Sequence, residues 1–178
     1  IVKKRFGNQT YLNHPVHLTL FTLEIKKITD LKKIYINKIN QPLKKYNINL
    51  TKPGIFYDDP LTGGHTIFYK IKKNKNLVNL QLKHLKKINK QITVLKYRNN
   101  LFKTPILKKN YIKYGFPFVG KIWIPHATIA SIKNLDHKNK FLNKFLNSKI
   151  KLQCLYQDIK FYKIIGNKHK FLFRVENT

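Results

Sequence analysis

This chain of 178 residues has few acidic side chains, one cysteine and no long apolar run. The single Cys154 excludes an internal disulfide bond and any zinc site built from several cysteines. No stretch approaches the roughly 20 uncharged apolar residues that a membrane-spanning helix needs, and no secretory leader is recognisable. We therefore expect a soluble, cytoplasmic protein with no membrane partner, and no protein partner is evident.

The charge of the chain is strongly one-sided. Only 7 Asp and Glu stand against 37 Lys and Arg, which gives a formal net charge of +30. A deficit of acidic residues on this scale is typical of a protein that binds a polyanion, above all nucleic acid through its phosphates. A lysine-rich surface kept soluble by charge repulsion is the alternative, because the lysines are spread along the whole chain.

Hydrophobic periodicity predicts that a strand–helix–strand–strand unit occurs twice. The first unit has a strand at 15–24, a helix that Thr29 caps and Pro42 ends, strands at 47–57 and 64–72, and then a further helix at 76–90. The second unit has a strand at 121–132, a helix at 135–147, and strands at 150–163 and 168–175 that are joined by a turn at Gly166 and Asn167. Residues 93–120 have less periodicity and four Pro or Gly residues, and they are predicted to form a long connector.

The repeat predicts an α+β fold with two lobes. Residues 1–178 form one domain, which is the usual outcome at this length. Lobe one covers about 1–92 and lobe two about 121–178, on either side of the connector at about 93–120. Their two small sheets are expected to face each other around a pseudo-twofold groove.

Each half carries a His-x-Thr triplet in its first predicted strand, at residues 17–19 and 126–128. Side chains alternate along a strand, so His17 and Thr19 share one face, as do His126 and Thr128. The intervening apolar residues point the other way, towards the helices. Two imidazoles and two hydroxyls would then converge on one groove. The alternative is a pair of buried strand histidines that are hydrogen-bonded to neighbouring hydroxyls.

This set of side chains suits phosphodiester chemistry. A neutral imidazole removes a proton from the attacking oxygen, and a protonated one gives a proton to the leaving oxygen. The ordinary imidazole pKa of about 6.5 allows both states near neutral pH. Threonine hydroxyls can donate to the non-bridging phosphate oxygens. The few acidic residues do not form the carboxylate cluster that a two-metal site needs, so we expect no metal and no cofactor.

The paired motifs resemble those of the 2H phosphoesterase superfamily and, within it, the 2'-5' RNA ligase and cyclic phosphodiesterase group. The resemblance spans the chain from His17 to the closing strands. It implies a bilobal α+β fold with the active site between the lobes. It also implies metal-independent hydrolysis, or reversible transfer, at 2',3'-cyclic phosphate or 2'-5' bonds of RNA or nucleotides. His17 and His126 would be the acid–base pair, and Thr19 and Thr128 would bind phosphate.

A base or ribose needs a stacking wall, and the segment before the second motif offers one. It mixes lysine with aromatic residues, as is common in proteins that hold single-stranded RNA. The possible substrate contacts are Tyr111, Lys113, Tyr114 and Phe116. The remaining polar candidates are assigned structural roles. His14 is placed in a solvated loop, with the groove rim as the alternative because it is three residues from His17. The others are His65 at a turn or strand end, His84 at the boundary of the apolar face of its helix, His137 and His169 at the surface near turns, and Cys154 as a small core residue.

Two functions remain open from the sequence. The first is a phosphodiesterase of RNA or nucleotides that uses both histidines and can run in reverse as a ligase. The second is a non-catalytic RNA-binding module with the same fold. The sequence does not tell which histidine is the acid and which is the base.

Overall fold

Helices and strands alternate along the chain, which confirms the α+β class. The computed structural model describes residues 1–36, 46–59, 62–94, 102, 104–136, 139–156, 158–166 and 168–176. The elements in chain order are α1 (Val2–Phe6), α2 (Ile28–Ile36), β1 (Tyr46–Asp59), β2 (Gly64–Ile71), α3 (Lys75–Ile88), α4 (Pro105–Tyr114), β3 (His126–Ile132), α5 (Lys140–Leu146), β4 (Leu152–Tyr156), β5 (Asp158–Ile165) and β6 (Lys168–Glu176). None of the helices in these ranges has the length and apolar character that a membrane crossing requires.

The strands of the two sequence halves share a sheet. Within the described residues, β3, β2, β1 and β4 lie in that order in one sheet, and β5 pairs with β6 in another. Each of these pairings is antiparallel. The larger sheet thus takes two strands from each half of the chain, whereas the repeat predicted that each half would build its own.

The closing strands differ from the prediction at one point. The strand predicted at 150–163 is two strands: β4 pairs with β1, and β5 pairs with β6. The apolar pattern runs through this change of sheet without a Gly or Pro, so the break left no local signal. The turn at Gly166 is present, with a φ of 55°. Three residues with predicted roles, Pro42 at a helix end, Asn167 in the turn and His137 at the surface, lie outside the described residues.

A helix lies within the segment that was predicted to be a long connector. Thr104 precedes α4, Pro105 occupies its first turn, and Gly115 ends it with a left-handed φ of 66°. Proline fits the first turn of a helix because its missing N–H has no partner there, and glycine adopts the left-handed conformation that closes a helix. The residues that we interpreted as breakers are the start and stop of this helix.

The segment at 15–24 does not form the predicted strand. Leu18 makes an isolated antiparallel bridge with Ala127, and this is the pairing that joins the segment to β3. Further along, the fully buried Gln81 of α3 donates its amide N–H groups to the carbonyls of Leu20 (2.8 Å) and Phe118 (3.0 Å). The same amide accepts from the backbone N–H of Gly120 (3.0 Å). One side chain therefore satisfies backbone groups of two irregular segments that no sheet satisfies.

The apolar side of this segment joins the core as expected. Leu18 and Leu20 pack against a cluster that contains Ala127, Trp123 and Leu80 of α3. The cluster holds the segment through Leu18 and Leu20. The alternate side chains, His17 and Thr19, are left exposed. Packing on one face thus determines which residues face solvent on the other.

Candidate functional site

The bridge between Leu18 and Ala127 places the centres of the two His-x-Thr motifs directly side by side. Because the pairing is antiparallel, the residue before each centre lies across from the residue after the other. His17 is therefore opposite Thr128, and His126 is opposite Thr19. Side chains opposite each other on one face of such a pair have Cβ atoms about 5 Å apart. All four polar side chains share this face.

Both histidines are held by the same local hydrogen bond. The Nδ1 atom of His17 lies 2.8 Å from the carbonyl oxygen of Pro15, and that of His126 lies 2.8 Å from the carbonyl oxygen of Ile124. A carbonyl only accepts, so Nδ1 carries the proton in each ring. The neutral imidazoles then present an unprotonated Nε2, which can take a proton and return it. This shared orientation is the clearest sign of the pseudo-twofold relation.

The surroundings of the two rings differ. His126 packs edge-on to the ring of Phe56, with ring centres 5.1 Å apart, and against Phe68 at 5.0 Å. Burial lowers the pKa of His126, the hydrogen bond to Ile124 opposes this, and the nearby His17 lowers it further. Hydrophobic surroundings penalise the charged imidazolium, so His126 favours its neutral form, whereas His17 is exposed.

A β-bulge lies next to the second motif. Phe68 pairs with Thr128, but Ile67 pairs with Ala130, so Ile129 of β3 is an extra residue relative to β2. Bulges re-aim the side chains beside them and occur often at active sites. Here the bulge lets residues 126–128 present their polar face to the first motif while Ala130 stays fully buried in the core.

A carboxylate also acts on this site, and no pattern in the sequence pointed to it. The charge of Asp59 at the end of β1 raises the pKa of His126, against the effect of burial. It is also one cause of the raised pKa of Tyr11, after burial. Asp59 is fixed by Thr66, whose hydroxyl donates to Oδ2 at 2.6 Å. It therefore favours a protonated His126, in opposition to the apolar walls.

Two further histidines flank the first motif, contrary to the loop and surface roles predicted for them. The ring centre of His169 on β6 lies 4.7 Å from that of His14 and 6.5 Å from that of His17. The ring centre of Tyr11 lies 5.4 Å from that of His14 and 6.3 Å from that of His169. Burial lowers the pKa of His169, and the charges of His14 and His17 lower it further. Only the fold brings β6 to this position, so His169 could not be found by spacing, whereas His14 lies three residues before His17 and had the groove rim as its alternative position.

The aromatic wall that was predicted from the sequence lies largely in and after α4. Tyr111 is buried and its ring packs against Phe102, so this ring serves the core. The ammonium of Lys113 lies 5.2 Å above the ring of Tyr114, and Phe116 contacts Phe118. Contacts of Lys113, Tyr114 and Phe116 with substrate stay a prediction.

The other single residues take structural positions. His65 accepts a hydrogen bond from the backbone N–H of Asp58 at 3.0 Å, which suits the strand-end role predicted for it. His84 lies in the core rather than at the boundary of the apolar face of α3: it is buried, and its Nδ1 bonds the hydroxyl of Tyr35 at 2.9 Å. Burial and two nearby lysines lower the pKa of His84 to about 4. Cys154 is exposed on β4 rather than in the core.

The histidines around the first motif do not have the geometry of a metal centre. Among the described residues, no group of three or more His, Cys, Asp or Glu side chains is arranged to hold a metal ion. The neighbouring imidazoles of His14, His17 and His169 therefore meet one another through ring contacts rather than as a set of ligands.

Comparison with known proteins adds a family and a structural relative. The family model of the AKAP7 2'5' RNA ligase-like domain matches residues 7–177. The fold is similar to the crystal structure of TT0787 of Thermus thermophilus, with a TM-score of 0.56 and 15% sequence identity over 95% of this chain and 81% of that chain. At this identity the structural likeness shows the fold alone. No curated protein matches the chain.

Proposed function

The chain belongs to the AKAP7 2'5' RNA ligase-like domain family of the 2H phosphoesterase superfamily, and from this premise we propose that it is a phosphodiesterase. Its substrates are 2',3'-cyclic phosphates or 2'-5' phosphodiesters of RNA or nucleotides. The observation that supports this proposal best is the paired geometry of the motifs, in which both Nδ1 atoms are anchored to backbone carbonyls. Two rings that present Nε2 to one space can supply both proton transfers, so the reaction needs no metal.

The different surroundings of the two histidines support a division of the work. Burial against Phe56 and Phe68 lowers the pKa of His126, so this ring is available as a neutral base. In our proposal its Nε2 takes a proton from water as the water oxygen bonds to phosphorus. The exposed His17, in its protonated form, gives a proton to the leaving ribose oxygen as the phosphorus–oxygen bond breaks. The roles exchange if the reaction runs as ligation.

The threonines act on the phosphate. A dianionic, five-coordinate phosphorus holds more charge on its non-bridging oxygens than the substrate does, and hydroxyl donors aimed at them stabilise that state. Thr19 and Thr128 lie on the same face as the histidines, each across from the histidine of the other motif. A net charge of +30 gives the substrate a further long-range attraction.

The test is hydrolysis of a nucleoside 2',3'-cyclic phosphate and of a 2'-5'-linked dinucleotide in the presence of EDTA. We expect turnover by the wild type and a loss of about 10²- to 10⁴-fold in His17→Ala and in His126→Asn. His65→Asn, at the opposite end of β2 from the pairing with His126, is the control and should stay within a few-fold of wild type. Circular dichroism verifies that each variant folds.

The outcomes separate the two functions. Turnover that resists EDTA and is lost in both variants supports the two-histidine mechanism, and the products identify the bond that is cut. RNA binding without turnover on any phosphodiester would favour the non-catalytic binding module. Full activity in either histidine variant would contradict the assignment of these residues.

A further inference from the structure

The side of the site next to His17 carries a second group of imidazoles that the proposed reaction does not use. His14 ends a turn, and its backbone N–H donates to the carbonyl of Tyr11 at 3.0 Å. His169 comes from β6, in the other half of the chain. The ring centres of His14 and His169 lie 4.7 Å apart, whereas those of His169 and His17 lie 6.5 Å apart. The fold thus brings two histidines together beside the reacting groups.

The rings of this pair are enclosed by other rings. Tyr11 lies nearly parallel to His169, with an interplanar angle of 25°, and His14 and Tyr162 also contact it. A nucleobase stacks on an open ring face, and the faces of His169 already meet aromatic neighbours. The groups left for a ligand are the ring nitrogens, which donate hydrogen bonds when protonated.

One polar atom of the pair lacks a partner within the described part of the protein. Nδ1 of His14 is buried and has no hydrogen-bond partner among the described residues. A buried polar atom without a partner costs about 1–3 kcal/mol. Tyr11, at the start of the same turn, has a φ of 73°, and a bulky residue in this left-handed region is strained. Both costs fall on the turn that carries His14, beside the proposed active site.

The charges around the pair favour an anion. The titratable groups that face His169 are His14, His17, Tyr11 and Tyr162, whereas the side chains of its neighbours Lys168 and Lys170 alternate to the other face of β6. Two protonated imidazoles this close repel each other, which is one reason that the pKa of His169 is lowered. A phosphate that accepts from an N–H group at the edge of each ring offsets this repulsion. Asp59 acts on Tyr11 at the edge of the group, and it does not contribute to the lowered pKa of His169.

We propose that His14 and His169 form a second phosphate subsite, which binds a phosphate of the same substrate next to the one that reacts. This inference rests on the proposed function, and it narrows the substrate class. The preferred substrates then carry at least two phosphates, as oligonucleotides and 5'-phosphorylated nucleotides do. A nucleoside 2',3'-cyclic phosphate, which has one phosphate, fills only the reacting position.

The test is binding rather than turnover. Adenosine 3'-monophosphate and adenosine 3',5'-bisphosphate are titrated into the wild-type protein by calorimetry, since neither contains a bond that the proposed reaction cuts. We expect the second phosphate to raise affinity about tenfold, as a charge-assisted hydrogen-bonding pair does. His14→Phe and His169→Phe keep a ring but lose its nitrogens, and each should abolish this gain. Lys170→Gln, which removes a charge from the same strand, should keep it.

Several results would overturn the subsite. These are equal affinities of the wild type for the two nucleotides, a gain that survives in both phenylalanine variants, or a gain that Lys170→Gln removes as fully as His169→Phe. If a phenylalanine variant fails to fold, side-chain ¹H–¹⁵N spectra of the wild type with each ligand test the subsite instead. The bisphosphate should shift the ring ¹⁵N resonances of His14 and His169 and the monophosphate should not, and an equal effect of both ligands would contradict the proposal.

The two proposals fail separately. Loss of hydrolysis on every phosphodiester, together with a retained bisphosphate gain, would remove the proposed reaction and leave the subsite. Hydrolysis of a cyclic nucleotide without any gain from a second phosphate would leave the reaction and remove the subsite.

Discussion

The two His-x-Thr motifs carry the same residues and the same Nδ1 anchor, but the chain supports them in different ways. The second motif belongs to β3, which pairs with β2 from His126 to Ile132. The first lies in an irregular segment that meets β3 at Leu18 and is held further along by the amide of Gln81. The same residue types therefore occupy two different settings. The second motif lies in a regular, half-buried strand, and the first lies in an exposed segment that is held by single contacts.

This difference teaches how one residue type can serve two roles. Apolar walls favour the neutral imidazole on the strand side, which suits a base. Exposure on the other side allows the imidazolium, which suits an acid. The pseudo-twofold geometry brings the groups together, and the asymmetry of their surroundings distinguishes them.

The largest effect is expected when the tether of the first motif is removed. Gln81→Met keeps the size of the side chain but leaves the carbonyls of Leu20 and Phe118 and the N–H of Gly120 without their partner. Each buried group without a partner costs about 1–3 kcal/mol, so the free energy of unfolding should fall by about 3 kcal/mol or more in urea titrations.

The matched control for this change is Gln91→Met, at a partly exposed position after α3. Substitutions of this kind usually alter stability by less than about 0.5 kcal/mol. Equal stability of Gln81→Met and wild type would contradict the role of the amide as the support of the first motif.

A smaller effect is expected at the two threonines. Thr19→Val and Thr128→Val each remove one hydroxyl donor to the phosphate, and hydrogen bonds to charged groups contribute about 1.5–3 kcal/mol. We expect kcat/KM to fall about 10- to 100-fold in each variant. Thr29→Val, at an exposed position in α2, is the control.

Similar losses at both positions would show that the pseudo-twofold relation extends to catalysis. A loss at Thr128 with none at Thr19 would show instead that only the motif held in a regular strand acts on the phosphate. That result would break the equivalence of the two halves.

The smallest expected effect is on the pH profile. Burial lowers the pKa of His126, so this ring, the base in our proposal, stays neutral to a lower pH than an ordinary histidine, whose pKa is about 6.5. The acid limb of kcat/KM should therefore lie below pH 6.5. Phe56→Ala exposes the ring, which raises its pKa and should move this limb to higher pH by less than about one unit. Phe6→Ala, whose ring packs on Phe141, should leave the limb in place.

The lowered pKa of His126 also makes the stability of the fold depend on pH. A histidine whose pKa is lowered by folding contributes stability that is fully present above about pH 6.5 and is lost as the pH falls. An acid limb that stayed unmoved in Phe56→Ala would contradict the role of the apolar wall in making His126 the base.

The sequence predicted those parts of the fold that local patterns determine. The helix predicted at 76–90, the strands predicted at 47–57 and 64–72, and the positions of the two triplets all follow from residues close in sequence. The same holds for the inward side of Leu18 and Ala127, because alternation in extended chain is a local rule.

The remaining features depend on contacts between distant residues. Gln81 bonds the carbonyl of Leu20 within residues 15–24, and no pattern in that segment shows this. The pairing of β4 with β1 divides a segment that has no Gly or Pro to mark the break. His169 reaches His17 only because the last hairpin folds over the first motif. At α4 the prediction was wrong for a different reason. Proline and glycine are common both within loops and at the two ends of a helix, so Pro105 and Gly115 alone did not distinguish the two.

The amide of Gln81 has an evolutionary consequence. It donates twice and accepts once, and among the side chains only Gln and the shorter Asn offer both kinds of group in this form. Glutamate cannot donate, lysine cannot accept, and the apolar residues can do neither. Its two acceptors are the backbone carbonyls of Leu20 and Phe118, which every residue type supplies, whereas the N–H that it accepts from belongs to Gly120, whose φ of 66° favours glycine. Replacement is therefore more restricted at position 81 than at the exposed position 118.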